Sequence, residues 1–254
     1  MGSTPSEPVP QTGVGVVASF DFNRDRELWR WVPEHVSLFI SRTGPVADRE
    51  GLALVRALND AEVLRRPTRE VGELDVSAVA YLCTACSFVG GAARERRLRE
   101  TMLAEGAPAA VTTAGAVVTG LRALGARRVA VAHPYVPAVG ERLRAYLTES
   151  GLEVVSQRGL GLQPAEIPAV SYARVRELVR ESDHPTADAV FLSCTALPTY
   201  DVIAPIEAEL GKPVVTANQA TVWAVLRAAG LTAVGAGQRL LTGREPAGRA
   251  EHRT

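Results

Sequence analysis

Lysine is all but missing from this chain: Lys212 is the only one among 28 basic residues, so arginine carries nearly all the positive charge. A pyridoxal phosphate enzyme needs a lysine for its Schiff base, and a single residue would have to serve. Surplus charge is missing too, since 28 acidic residues balance the 28 basic ones. A nucleic-acid partner is therefore not expected, because phosphate binding draws on a basic surplus. His35, His133, His184 and His252 have no ligand spacing and no second C-x-x-C follows Cys83 and Cys86, so no metal site is expected. Nothing approaches the ~18 apolar residues that span a bilayer, so no membrane partner is expected. The polar, proline-bearing residues 1–12 lack the basic start and apolar run of a signal peptide and read as a disordered lead-in. Three cysteines without signs of export are expected as free thiols in a reducing cytoplasm.

What is abundant is short apolar runs alternating with helix-period segments, the pattern of parallel sheets covered by helices. Strands are expected at 13–19, 36–41, 76–82, 127–132, 152–157, 187–193 and 213–217. Helices are expected at 24–31, 47–60, 88–105, 113–124, 138–149, 171–181, 198–210 and 218–229, with Gly106, Gly125, Gly151 and Gly211 closing four of them. Residues 235–254 have no sustained period and read as a flexible tail. The GVGVV at 13–17 lacks the third glycine and the acidic residue of a dinucleotide fingerprint. TAGAVVTG at 113–120 reads as a helix start capped by Thr112 or Thr113.

An internal repeat carries the most information. VAYLCTA at 79–85 matches VFLSCTA at 190–196, with Cys-Thr-Ala repeated outright and the two cysteines 111 residues apart. Near the same offset, Ala18-Ser19-Phe20-Asp21 corresponds to Ala132-His133-Pro134-Tyr135. Each half thus runs strand, helix, strand, helix, strand, then Cys-Thr. Ligands of open parallel sheets bind beyond the carboxyl ends of the strands, so facing halves would bring Cys83 and Cys194 to opposite walls of one cleft. Hydroxyls of Thr84, Ser87 and Thr195, with nearby amides, would hold a small carboxylate. Two thiols flanking a carboxylate-bearing carbon can exchange protons on both faces, or one can attack while the other supplies a proton, with no cofactor. Cys83, at a polar helix start, is expected to be the more acidic thiol and the nucleophile. Cys194, before Leu197 and Pro198, is expected to stay protonated and act as acid. Cys86 has no counterpart in the repeat and reads as core filler, and a thioredoxin-type pairing of Cys83 with Cys86 lacks the matching order of elements.

These motifs, in this order over residues 13–231, resemble the aspartate/glutamate racemase superfamily, in its maleate cis-trans isomerase and arylmalonate decarboxylase branch. YLCTACSFVGG is similar to a family Cys-Thr-Ser-x-Ser-Phe, RRVAVAHPY to a strand ending in Thr-Pro-Tyr, and VFLSCTALPT and GKPVVTANQATVWAVLRAAG to the later motifs. The resemblance implies an α/β unit over 13–234 made of two pseudo-symmetric halves, 13–112 with 218–234 and 113–217, with the site between them. It implies Cys83 adding to a double bond to give a succinyl-cysteine-like intermediate, Cys194 handling the proton, and the Tyr135 hydroxyl on a substrate carboxylate. Arylmalonate decarboxylases carry glycine at the first cysteine position, so Cys83 points to isomerase or racemase chemistry. The chain departs from the isomerase pattern where Ser19-Phe20-Asp21 replaces Ser-Ser-Asn, where Ala85 replaces serine, and near Gln163 and Pro164, where an asparagine is lost. These departures put a dicarboxylate pocket in question and point Asp21 toward a cationic or hydroxyl-bearing part of the substrate. Three readings follow: a cofactor-independent cis-trans isomerase of a small carboxylate, a two-thiol racemase or decarboxylase, or a non-catalytic ligand-binding member of the fold. A homo-oligomer is compatible with each.

Overall fold

The structure is a computed structural model that describes residues 10–242. Its elements run β1 (Thr12–Ala18), α1 (Asp25–Leu28), β2 (Val36–Arg42), α2 (Gly51–Ala57), α3 (Glu62–Gly72), β3 (Val76–Leu82), α4 (Thr84–Phe88), α5 (Gly91–Ala104) and β4 (Ala110–Thr112) in the first half. They continue as α6 (Thr113–Ala123), β5 (Arg128–Tyr135), α7 (Pro137–Glu149), β6 (Glu153–Leu162), α8 (Tyr172–Ser182), β7 (Ala189–Leu192), α9 (Tyr200–Leu210), β8 (Val214–Thr216), α10 (Ala217–Ala228) and α11 (Arg239–Thr242). One sheet has the order β2-β1-β3-β4 and the other β6-β5-β7-β8, and every neighbouring pair is parallel. The second sheet repeats the first strand for strand, as the Cys-Thr-Ala repeat implied.

The central strands are buried on both faces, which is why β1, β3, β5 and β7 read as nearly continuous apolar runs. Alternate residues of the first sheet feed two cores: Val17, Val79 and Tyr81 join the large core shared with the second half, whereas Val16, Ala78 and Ala80 face Trp31 and α10. The two sheets are joined by helices that follow their edge strands. Thr112 caps α6 by accepting from the Gly115 N–H, and Thr216 caps α10 in a capping box with Gln219. These two equivalent helices pack together, with the Thr221 hydroxyl 2.9 Å from that of Thr113.

Several expectations need correction. Thr12 opens β1 rather than closing a disordered lead-in, while residues 1–9 lie outside the described residues. No helix was expected over 61–75, yet α3 lies there with Pro67 inside it. Proline removes one intrahelical bond, but Leu64, Pro67, Thr68 and Val71 form a buried stripe that meets β1 where Gly15 leaves room. A Cβ on Gly15 would stand 2.9 Å from Val71 Cγ2. The single helix expected over 88–105 is instead α4 and α5, broken at Val89 and Gly90 before Gly91 at φ 78°. The segment expected to fray from residue 235 is packed through Thr242: Leu240 is buried on Gly120, and the buried Gln238 Oε1 accepts from Trp31 Nε1 and Gln219 Nε2, both at 2.8 Å. Residues 243–254 lie outside the described residues. Among the described residues no helix is long and apolar enough to cross a membrane.

Replacing Gln238 by Ala removes the acceptor of two buried N–H donors, so urea denaturation should show a loss of roughly 2–3 kcal/mol. An unchanged midpoint would return this segment to a passive tail.

Candidate active site

The carboxyl ends of the two sheets open onto one cavity of about 380 Å³, in the range of small-molecule sites. Ser19 and Asp21 follow β1, Cys83 and Thr84 follow β3, Tyr135 ends β5, and Cys194 and Thr195 follow β7; all seven line it. The opposite wall is apolar, with Leu54, Val55 and Leu58 around α2, Val139 on α7, and Leu162 and Ile167 from the β6 side. Arg49, with its guanidinium 4.9 Å from the centre of the Phe20 ring, and Asp21 bring charge to the same cavity.

Seven of the eight residues singled out in the sequence meet here, and Ser87 does not. Its hydroxyl is fully buried, donating toward the Cys83 and Thr84 carbonyls and accepting from the Ala114 N–H, so it pins the turn after β3 to α6. Thr84 Oγ1 is buried without a hydrogen-bond partner; it lies beside the Tyr135 hydroxyl in a geometry that falls short of a bond. Asp21 caps no helix, since α1 begins at Asp25 with Arg24 at its cap position. Gln163 does not line the cavity: its Oε1 accepts from the Gly51 N–H at 3.0 Å, tying the β6 end to the start of α2.

Cys83 is extended (φ −156°) at the N-cap of α4, and Cys86 is the third residue of that helix. N-cap and third-residue side chains face each other at a helix start, and with their Cα atoms 5.4 Å apart the two cysteines are joined as a disulfide. Two expectations change accordingly. Cys86 is not inert filler, and of the three thiols expected free, only Cys194 is so here. The helix behind Cys83 is also only five residues long, so its dipole offers less to a thiolate than a long helix start would.

Cys194 sits at φ 105°, outside the usual range for a side chain-bearing residue and at a cost of order 1–3 kcal/mol. Burial pushes its thiol up to about 11, against the opposing pull of the Ala196 N–H and the Tyr135 hydroxyl, while Asp21 adds to the rise and the Leu197 N–H opposes it. Tyr135 is held neutral by its own burial and by the neighbouring Cys194, and its hydroxyl lies 3.0 Å from Ser193 Oγ. Beneath it stacks His133, which burial keeps neutral by lowering it to about 4. A thiol at about 11 is almost wholly protonated at pH 7, the state of a proton donor.

The profile of the arylmalonate decarboxylase family matches residues 50–241. This chain belongs to that family. Arylmalonate decarboxylase of Bordetella bronchiseptica is 40% identical over 166 residues, covering 64% of this chain and 69% of that protein. Maleate isomerase of Nocardia farcinica is 32% identical over 200 residues, covering 76% and 78%. Among solved structures, a liganded double mutant of arylmalonate decarboxylase superposes with a TM-score of 0.83 at 29% identity, over 91% of this chain and 99% of the other. A cysteine-to-serine mutant of the Nocardia farcinica maleate cis-trans isomerase, holding a covalently bound succinylcysteine intermediate, superposes at 0.80 with 25% identity over 92% and 99%. The family's members under these names are enzymes, and cysteine is the residue that holds the intermediate in the isomerase.

The apolar wall and Arg49 escaped the sequence reading, because Leu54, Val55 and Leu58 look like any core-facing helical stripe. Only the tertiary structure turns this stripe to the cavity, beside Gly51 at φ 47°.

The pairing of Cys83 with Cys86 makes a chemical prediction. Iodoacetamide applied without reductant should label neither Cys83 nor Cys86, and labelling of Cys83 should appear only after dithiothreitol. In Cys86→Ser, Cys83 should label without reductant. Full labelling of Cys83 in unreduced wild-type protein, mapped by mass spectrometry, would contradict the pairing.

Proposed function

We propose that the reduced protein is a cofactor-independent cis-trans isomerase of a small unsaturated carboxylate, with Cys83 as nucleophile and Cys194 as proton donor. The observation that carries this reading is the convergence of Cys83 and Cys194, from equivalent strand ends, on one cavity. The Cys83 thiolate adds to the carbon β to the substrate carboxylate, and the α-carbon takes the proton of Cys194. The former double bond is now single and rotates. The Cys194 thiolate then removes the α-proton and the Cys83–carbon bond breaks, returning the trans alkene and both thiol groups to their starting states. Tyr135, Thr84, Thr195 and Ser19 would hold the carboxylate. Lys212 supports the absence of a Schiff base, since its Nζ is bound to Asp183 and the His184 carbonyl and does not line the cavity. The need for a Cys83 thiol suits a reducing cytoplasm.

A second reading, decarboxylation of an arylmalonate-type diacid, is favoured by the apolar wall and by the 40% identity to a decarboxylase. A carboxylate placed against Leu54, Val55 and Leu58 is poorly solvated, which promotes its loss as CO₂. The carbanion left behind takes the Cys194 proton. The same wall supports a substrate whose second arm is apolar rather than a second carboxylate.

Cys194→Ser, reduced and mixed with a cis-enoate, should accumulate an adduct on Cys83 of the mass of the substrate, and turnover should fall by about 10²-fold or more. Release of CO₂ from an arylmalonate with no adduct on Cys83 would replace the isomerase reading by the second. Because the Asp21 carboxylate shares the cavity with Cys194, Asp21→Asn should alter the ranking of substrates by kcat/KM more than it alters Tm. A drop in Tm with an unchanged ranking would make Asp21 a structural residue.

A further inference from the structure

Two backbone N–H groups shortly after Cys194, those of Ala196 and Leu197, lie where they pull its thiol down against the effect of burial. A trans peptide is planar, with its carbonyl and its N–H on opposite sides. Whatever holds the carbonyl of such a group therefore aims its N–H. The carbonyl that shares a peptide with the Ala196 N–H belongs to Thr195, and it accepts from Asn218 Nδ2 at 3.0 Å. The carbonyl that shares a peptide with the Leu197 N–H belongs to Ala196, and it accepts from Arg24 Nε at 3.1 Å. One side chain comes from α10 and the other from the loop before α1. Neither is near Cys194 in sequence.

Both are themselves held. Arg24 Nη2 donates to the Pro168 carbonyl at 2.6 Å, so the guanidinium joins two loops that line the cavity. Asn218 is fully buried, and its Nδ2 also reaches Glu27 Oε1 at 3.4 Å. Two acceptors on one side decide the orientation of its amide, because the flipped form would turn an oxygen toward a carboxylate and a carbonyl. The carboxylate of Glu27 in turn accepts from the Thr199 N–H and hydroxyl, fastening the far end of the same loop.

We infer that Arg24 and Asn218 are positioning residues for Cys194: by holding the Thr195 and Ala196 carbonyls they aim two N–H groups at Sγ and support its thiolate. The same grip accounts for a cysteine persisting at φ 105°. A peptide whose carbonyl is bound by a cationic guanidinium is also a better N–H donor, since hydrogen bonds in a chain polarise one another. The inference rests on Cys194 as the proton-transfer residue for its meaning in catalysis, but its geometry does not. The other charged or titratable groups around Cys194 are Tyr135 with Ser193 behind it, Asp21 from the loop after β1, Cys83 and Arg49 on the cavity wall, and His133 beneath Tyr135. None of these touches the two carbonyls.

The test uses a Cys83→Ser/Cys86→Ser background, in which Cys194 is the only thiol of the chain. The rate of iodoacetamide alkylation is followed from pH 8 upward in this protein and after adding Arg24→Gln, Asn218→Ala or Arg24→Lys. Loss of one aimed N–H should reduce the thiolate fraction roughly tenfold at a given pH, displacing the rising limb by about one pH unit. Arg24→Lys, which keeps a donor for the Ala196 carbonyl, should recover most of the rate. A change in access alone would move the plateau and leave the limb in place, which would overturn the inference. So would an undisplaced limb in folded Arg24→Gln and Asn218→Ala proteins. If Arg24→Gln does not fold, Arg24→Met takes its place beside Asn218→Ala: a displaced limb in these two with Arg24→Lys nearly in place supports the shared role, and an undisplaced limb in Asn218→Ala overturns it. Turnover is measured separately in the wild-type cysteine background under reductant. A displaced limb with normal turnover would sink Cys194 as proton donor and leave the positioning intact.

Discussion

The carboxyl ends of two parallel sheets have to meet, and they are held together by buried polar bonds that span the chain. Glu27, from the first half, fastens Thr199 of the second and Asn218 at the start of α10, while Thr113 and Thr221 join the helices that follow the two edge strands. Burial raises the Glu27 carboxyl, so its charged form depends on the donors that surround it. The large apolar core shared by the two halves holds them together alongside these bonds.

The repeat is symmetrical in its strands and unsymmetrical in its chemistry. After β3 the chain turns directly into a helix and Cys83 stays extended. After β7 it makes a loop of several residues before α9, with Cys194 in a left-handed conformation. The first cysteine can therefore reach another side chain at its own helix start, and it reaches Cys86. The second is enclosed by peptide N–H groups, a tyrosine and the first half of the protein. The difference in backbone leaves one cysteine paired at its helix start and the other buried as a free thiol. Burial, not the proline at 198, is what keeps Cys194 protonated.

The cavity joins a hydroxyl-rich edge to an aliphatic wall, a combination that suits both proposed readings. A carboxylate can be held at the strand ends in either chemistry. What differs is whether the facing group is to be added to or expelled, and the apolar wall bears on the second question as much as Cys83 bears on the first.

Much of this was legible before any coordinates. Parallel strands announce themselves by continuous burial, and a repeated Cys-Thr-Ala at two strand ends locates a cleft because strand ends are where such sheets bind ligands. Local sequence also narrowed the cap of α6 to Thr112 or Thr113, since that bond closes within three residues, and Thr112 makes it. It did not reveal α3, because a proline inside a helix is read as a break, and the packing of Val71 against Gly15 that seats this helix on β1 is a contact between residues far apart in the chain. It misread the segment around Gln238, whose partners Trp31 and Gln219 are far away in the chain. It passed over Arg24 and Asn218, which act on carbonyls rather than on the sulfur itself. Residue type and local spacing determined seven of the eight strands among the described residues, missing the short β4, and the place of the two cysteines at strand ends. The aim of the N–H groups at Cys194 and the apolar wall opposite were decided only by tertiary structure, because a peptide's orientation is set by whatever holds its carbonyl, here from the other half of the protein.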